Sequence, residues 1–474
     1  MEKSVREQQR ITWCEHILFG ICGVFFLAIY VSLICNRNVW TDEAYTIQLI
    51  RENSFLEIIA KTAMDVHPPL YYLLLKIFVT IFGQSITVYK LFSVIPMVLL
   101  MVLAWTKVRR NWGIRAACFF LLFANAIPCM LEYTIQIRMY SLACFFTTWA
   151  ALSAYDVWKN GKPLQVMELT LASMGACYTH NYAMLNCVFV YVILLVAAVV
   201  RYRKKKEKHL FIMALLSGCV VAVSFLPWLG VLLRQTTQRV GNYWIEPVTL
   251  RVILQYFEDL FGTAIPHTTF MYVCLFLSGI ILAVKETMNK KENGIEALLF
   301  LCISVLTASV GIIVSILVTP FFIARYLIPC IGLFALFLAI IFSTQKVYVQ
   351  VLLAAFGMGT FLSAYYVNFE KEYRSGSLEE TLSFMEQNMT EDDYIVYNYE
   401  LYGFIYKIYF DEDRTIFLSD MDFSSDFENI WYFDSCVTPW LDSSLLESQG
   451  LKKEYIANLG IEQNDFVLYK ISHE

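Results

Sequence analysis

The sequence predicts an α-helical polytopic membrane protein of about eleven transmembrane helices, followed by a small C-terminal extracytoplasmic α/β domain. Three observations predict it. First, 58% of residues are hydrophobic, mean hydropathy is +0.55, and only 16% are charged, whereas soluble chains are about a quarter charged. Second, apolar runs near the length of a bilayer crossing recur along the chain. Third, the net charge of −5 conceals a division. Residues 368–474 hold 23 acidic and 7 basic side chains, a net −16, which leaves +11 on everything before them. A basic apolar body over 1–367 and an acidic tail over 368–474 belong in different surroundings.

The apolar runs fall at roughly 17–35, 69–83, 87–106, 114–131, 139–155, 164–178, 182–200, 210–229, 268–285, 295–318, 323–343 and 346–366. The first follows Lys3, Arg6 and Arg10. It is long for a signal peptide and no small-residue cleavage site follows it, so it predicts an uncleaved first helix. The 69–83 run is short, carries Lys76 and follows Pro68 and Pro69. The positive-inside rule decides its place. If it lies on the surface and the N-terminus is cytoplasmic, then Lys107/Arg109/Arg110/Arg115, Lys159/Lys162, the basic cluster 201–206, Lys285/Lys290/Lys291 and Lys346 are all cytoplasmic. If it crosses, every one of these flips outward while Lys3, Arg6 and Arg10 stay inside. The expectation is therefore eleven spans, with 69–83 a helix along the outer surface of the plasma membrane.

The outer segments are then 36–86, 132–138, 179–181, 230–267, 319–325 and the tail. The 230–267 loop carries Arg234, Arg239 and Tyr243-Trp244-Ile245, whose aromatics suit the interface. In the tail, Leu and Phe have helical spacing over 378–388. Strand-like runs lie at 394–397, 415–418, 430–433, 454–457 and 466–471.

Some functions are excluded or disfavoured. There is no Walker loop, no GxGxxG after a strand and no basic-aromatic surface for nucleic acid. Twelve of thirteen cysteines precede residue 368, so Cys436 has no partner within the tail, and no CxxC pair occurs. No ionisable residue falls near the middle of a predicted span, with Glu168 and Glu296 near inner ends. That disfavours a transporter or proton pump. The expectation is a membrane enzyme working at the outer surface. A lipid flippase and a scaffold displaying its acidic domain are the alternatives.

Candidate residues cluster in the outer segments. Asp42-Glu43 follows Trp40 and reads as a general base with a partner, or as the acidic cap of a helix. His67-Pro68-Pro69 fixes the entry to the surface helix. His67 there pairs with a phosphate, binds a metal with Asp65, or packs. Lys90, Arg138 and Arg325 each stand beside a tyrosine at an outer helix end, as anchors or as a cradle for a lipid phosphate. His180-Asn181-Tyr182 forms a tight outer turn, read as a polar turn or a substrate contact.

Taken together, Asp42-Glu43-Ala44-Tyr45, His67-Pro68-Pro69-Leu70-Tyr71-Tyr72, Arg138-Met139-Tyr140, Leu226-Pro227-Trp228, Tyr243-Trp244-Ile245 and Arg325-Tyr326-Leu327-Ile328-Pro329 resemble the membrane glycosyltransferases of the GT-C superfamily. The resemblance is to the bacterial dolichyl-phosphate-mannose-protein mannosyltransferase-like family and its aminoarabinose-transferring relatives, and it spans about 40–329. It implies an inverting glycosyltransferase. The donor would be a polyprenyl-phosphate-linked sugar, and the acceptor a hydroxyl on a glycan, lipid or protein. A polysaccharide ligase or polymerase using a pyrophosphate-linked donor is its variant. It implies Asp42 as the base with Glu43 beside it, and Arg138, Arg325 and Lys90 on the donor phosphate. Lys90 stands where the family has arginine, a departure that removes the bidentate fork. His67, Pro68, Tyr45, Tyr140, His180 and Tyr326 would line the cavity. No cofactor is required, although some relatives bind a divalent cation, for which Asp65, His67 and His267 are the candidates here.

Overall fold

The structure, a computed structural model, describes residues 2–36, 38–238, 245–373, 377–462 and 464–473. Arg239, Tyr243 and Trp244 lie outside the described residues. The chain opens with α1 (Glu2–Ile34), α2 (Thr41–Glu52), α3 (Phe55–Met64), α4 (Leu70–Phe82) and α5 (Ile86–Leu103). A π turn at Ala104–Val108 leads into α6 (Arg109–Trp112), then α7 (Ile114–Ala126), α8 (Pro128–Ile135), α9 (Tyr140–Asn160), α10 (Pro163–Thr179), α11 (Asn181–Lys205) and α12 (His209–Gln238). Next come α13 (Leu250–Phe261), α14 (Thr268–Met288), α15 (Glu292–Leu317), a 3-10 turn at Ala324–Cys330, α16 (Ile331–Phe342) and α17 (Val347–Tyr373). The tail holds α18 (Ser377–Asn388), β1 (Tyr394–Tyr397), α19 (Glu400–Tyr409), β2 (Thr415–Phe417), β3 (Asn429–Asp434), α20 (Ser443–Ser448), β4 (Leu451–Ile461) and β5 (Asn464–His473).

These elements separate into two compact units. The larger comprises Met1–Cys35 and Ser54–Asn368, the smaller Asn36–Asn53 and Phe369–Glu474. The expected division at 367 keeps the whole first outer loop with the membrane body, whereas the structure groups its first part with the tail. The reason is packing. In α2, Ala44, Ile47, Leu49 and Ile50 are buried. Its Tyr45 ring stands edge-on to Phe404 of α19, centroids 5.7 Å apart, and the Gln48 amide donates to the Phe404 carbonyl at 3.4 Å.

The protein is an integral membrane protein. Among the described residues, eight helices are long and apolar enough to cross a bilayer, and a ninth if α7 and α8 form one broken span. The other two expected spans are helices too. However, α9 carries Thr147, Thr148, Ser153 and Asp156, and α10 has 17 residues. Length and apolarity alone therefore do not reach eleven. Helix α4 has 13 residues. At about 1.5 Å per residue it is about 20 Å long, short of the roughly 30 Å hydrocarbon core. Phe55, Leu56 and Met64 of α3 and Ile81 and Phe82 of α4 are exposed, as interfacial helices require.

The 71° bend between α7 and α8 has a local cause. Pro128 occupies the first position of α8, and the residue before it, Ile127, is extended at φ −65°, ψ 118°. The break frees the Ala126 carbonyl. The Tyr272 hydroxyl donates to it at 2.7 Å and the Thr360 hydroxyl at 3.3 Å, the repair an apolar medium demands.

Where α5 and α9 end and α10 begins, the sequence hides a charge network. Lys107 Nζ donates to Asp156 at 2.8 Å and to Glu168 at 2.5 Å, while Arg110 reaches Asp156 at 2.6 Å. Two cations counted above as loop residues are thus paired with acids. The positive-inside rule counts Lys and Arg rather than net charge, so these pairings leave the count of cations per loop unchanged.

The smaller unit is built on one mixed sheet in the order β2-β1-β3-β5-β4. Strand β1 runs parallel to β2 and β3, while β5 pairs antiparallel with β3 and β4. Val396, Ile430, Tyr432, Leu451 and Ile471 form its core with Phe423 and Phe427. All five expected strands are present.

Candidate functional site

The larger unit gathers its candidates where α4, α5, α9 and α11 begin and α10 ends. Two turns meet there. His67 follows α3 and is buried, with Pro68 and Pro69 turning the chain into α4. His180 caps α11: its Nδ1 accepts the Tyr182 backbone N–H at 3.1 Å. The Asn181 amide donates to the Val66 carbonyl at 3.0 Å and ties one turn to the other. The two imidazoles then lie 5.4 Å apart between centroids.

Aromatic rings enclose this pair. Tyr326, carried by the 3-10 turn before α16, stands 5.3 Å from His180 and 6.0 Å from His67. Tyr140, at the start of α9, is 5.9 Å from His180, and Tyr182 is 5.5 Å from Tyr326. The Ser315 hydroxyl accepts the N–H groups of Phe321 and Phe322 at 2.9 and 3.2 Å, which fixes the approach to Arg325 and Tyr326.

The cations are near. Arg138 is 4% exposed and donates to the Tyr72 hydroxyl at 3.5 Å. His180 registers both arginines. Burial first, then the charges of Arg138 and Arg325, push its imidazole down to about 3. With Nδ1 accepting, the neutral ring carries its proton on Nε2. Lys90 is 1% exposed on α5, one turn before Ser93. Ser93 accepts from or donates to Tyr71 at 2.9 Å, and its carbonyl accepts from Ser141 at 2.6 Å, so α4, α5 and α9 are locked together beside that lysine.

Asp42, Glu43 and Tyr45 belong to the smaller unit, in the first turn of α2 and just after it. The Glu43 carboxylate accepts the Trp40 backbone N–H at 3.1 Å and so caps its own helix. Asp42 is half-buried at the second position, where a negative charge is favoured.

The metal candidates do not assemble. His267 is exposed at the cap of α14, and Asp65 terminates α3. Among the described residues, no three His, Cys, Asp or Glu side chains come close enough to hold an ion.

The set is therefore two arginines and a neutral histidine among tyrosines, with a buried lysine on α5. That set suits a phosphate on an apolar carrier. Residues 66–228 match the family model described as dolichyl-phosphate-mannose-protein mannosyltransferase. Among solved structures, the fold is similar to ArnT from Cupriavidus metallidurans bound to undecaprenyl phosphate. The identity is 13%, the TM-score 0.60, and 96% of this chain and 97% of that one are covered. The apo state of the same protein gives 12%, 0.55, 94% and 97%. The chain shares the fold of that protein. No match is found among curated proteins. The matched segment contains His67, Lys90, Arg138, Tyr140 and His180. Sequence reasoning passed over Tyr72, although it sits inside the His-Pro-Pro motif, and left Tyr182 as part of a turn.

Proposed function

We propose that the chain is an inverting glycosyltransferase that moves a sugar from a polyprenyl-phosphate-linked donor to an acceptor hydroxyl at the outer membrane–water interface. The observation that carries the reading is the cluster of buried Arg138 and His180 with half-buried Arg325 and the surrounding tyrosines, within a GT-C fold. The N-terminus is cytoplasmic and the tail extracytoplasmic, on the distribution of Lys and Arg among the loops.

In this reading Asp42 accepts the proton of the acceptor hydroxyl as the new C–O bond forms on the face opposite the departing phosphate. General-base help of this kind is worth about 10²–10⁴-fold. The bond from the anomeric carbon to the phosphate oxygen breaks, and polyprenyl phosphate leaves as an anion. Arg138, Arg325 and Lys90 stabilise the charge that develops on it. Neutral His180 offers its Nε2–H without adding a charge of its own. Glu43 fixes the turn that presents Asp42. The acceptor is a glycan, lipid or protein hydroxyl.

The test is a transfer assay with purified protein, a panel of radiolabelled polyprenyl-phosphate sugars and envelope extracts as acceptor. Label should move from lipid to a new product. Movement of intact donor across liposomes without transfer would favour a flippase, and transfer from a pyrophosphate-linked glycan alone would favour a ligase or polymerase.

A further inference from the structure

A cavity lies along the later halves of α9 and α11, toward the ends opposite Tyr140 and His180. Helices α9, α11 and α15 enclose a cavity of about 690 Å³, within the range of about 300–1,000 Å³ typical of ligand pockets. Its walls are apolar: Ala154 of α9, Val190, Leu194 and Ala197 of α11, Leu299 and Phe300 of α15. Val196 and Leu299 are exposed, so the trough opens toward the surroundings of the helices.

The α11 wall is a single stripe. Val190, Leu194, Ala197, Arg201 and Lys204 follow one another at helical spacing of three or four. From Val190 to Val200 the stripe is apolar and about 15 Å long, the depth of one leaflet's hydrocarbon. Then the chemistry changes abruptly to Arg201, Lys204 and Lys205, all lining the same cavity. Arg201 is held in place: one Nη1–H donates to the Trp158 carbonyl at 2.8 Å, and its guanidinium lies 5.7 Å from the Trp158 ring. The one acid in the wall, Glu296, is already engaged. Its oxygens accept from Trp112 at 2.7 Å and Tyr155 at 2.6 Å, with Lys159 at 3.5 Å. The open end of the trough is therefore cationic.

We propose that this trough holds an anionic phospholipid, its acyl chain along α11 and its phosphate on Arg201, Lys204 and Lys205. A basic pocket between helices is the pattern that recruits acidic headgroups on the cytoplasmic side. In the orientation proposed above, that is the leaflet it faces. The lipid is distinct from the sugar donor, because Arg201, Lys204 and Lys205 lie more than twenty residues along α11 from His180, roughly 30 Å at 1.5 Å per residue.

The experiment is a native mass spectrometry titration of the full-length protein in detergent with phosphatidylglycerol, and with phosphatidylcholine of identical chains. One phosphatidylglycerol should bind tightly and phosphatidylcholine should not compete. Arg201→Gln/Lys204→Gln/Lys205→Gln should weaken binding about a hundredfold, the effect of three cations beside an anionic headgroup. Ala197→Trp, which fills the trough and leaves every charge in place, should also remove the bound lipid. It decides the matter if the triple variant fails to fold. Unchanged phosphatidylglycerol binding in Ala197→Trp, equal binding of phosphatidylcholine, or binding of undecaprenyl phosphate alone overturns the proposal. Sugar transfer is not the readout, so the result stands apart from the proposed activity.

Discussion

His67 and His180 face each other 5.4 Å apart, from two turns held together by the Asn181 amide on the Val66 carbonyl. His180 is buried and neutral, its imidazole pushed down to about 3 by burial and then by Arg138 and Arg325. The unfolded chain would restore it to about 6.5. Because the folded value is the lower one, the unfolded state binds the extra proton between these limits. Stability that His180 contributes is thus fully present above pH 6.5 and is lost as pH falls toward 3. Thermal unfolding in detergent should show a smaller loss of Tm between pH 7 and pH 5 in His180→Asn than in wild type. Parallel curves would refute the assignment of a neutral histidine.

Asp42→Asn should lower transfer by about 10²–10⁴-fold, the range of general-base assistance. Tm and donor affinity should remain near wild type, because Asp42 is half-buried at a helix start rather than in the core. Purified Asp42→Asn turning over at the wild-type rate would remove it from the mechanism.

Arg138→Lys keeps the charge and loses the planar fork. If Arg138 grips the donor phosphate, KM for the lipid donor should rise about tenfold, since bidentate pairing is the stronger mode. An unchanged KM would remove Arg138 from donor-phosphate binding.

Lys107→Met removes the central cation from Asp156, whose side chain is wholly buried. Breaking a buried pair from one side destabilises by about 3–5 kcal/mol. Arg110 and Asn111 also reach Asp156, which places the expectation at the lower end, about 3 kcal/mol. Chemical denaturation in detergent measures it, and a loss below about 1 kcal/mol, the level of an exposed pair, would contradict the buried network.

Much of this architecture is legible in the sequence because it is periodic or local. The apolar runs became helices, and the strand-like runs of the tail became β1 to β5 in place. The region 400–409 did not read as helix because its aromatic residues, Tyr402, Phe404, Tyr406 and Tyr409, also suit a strand. The functional residues were legible as types but not as neighbours. Nothing local in His67-Pro68-Pro69 or His180-Asn181-Tyr182 announces that the two turns meet, and Tyr326 joins them from far along the chain. Asp156 was invisible for the opposite reason: it closes an apolar run and looked like a boundary, while its partners Lys107 and Arg110 looked like solvent-facing cations.

The membership of Asn36–Asn53 in the smaller unit bears on how such chains diversify. The sheet domain is assembled from two stretches of sequence separated by more than three hundred residues of the larger unit. A recombination event with one breakpoint after Asn368 would transplant the sheet without its own α2, parting Tyr45 and Gln48 from the Phe404 they contact. A viable exchange needs a second breakpoint within the first loop. The proposed base would then travel with the transplanted fold, and the arginines would stay behind.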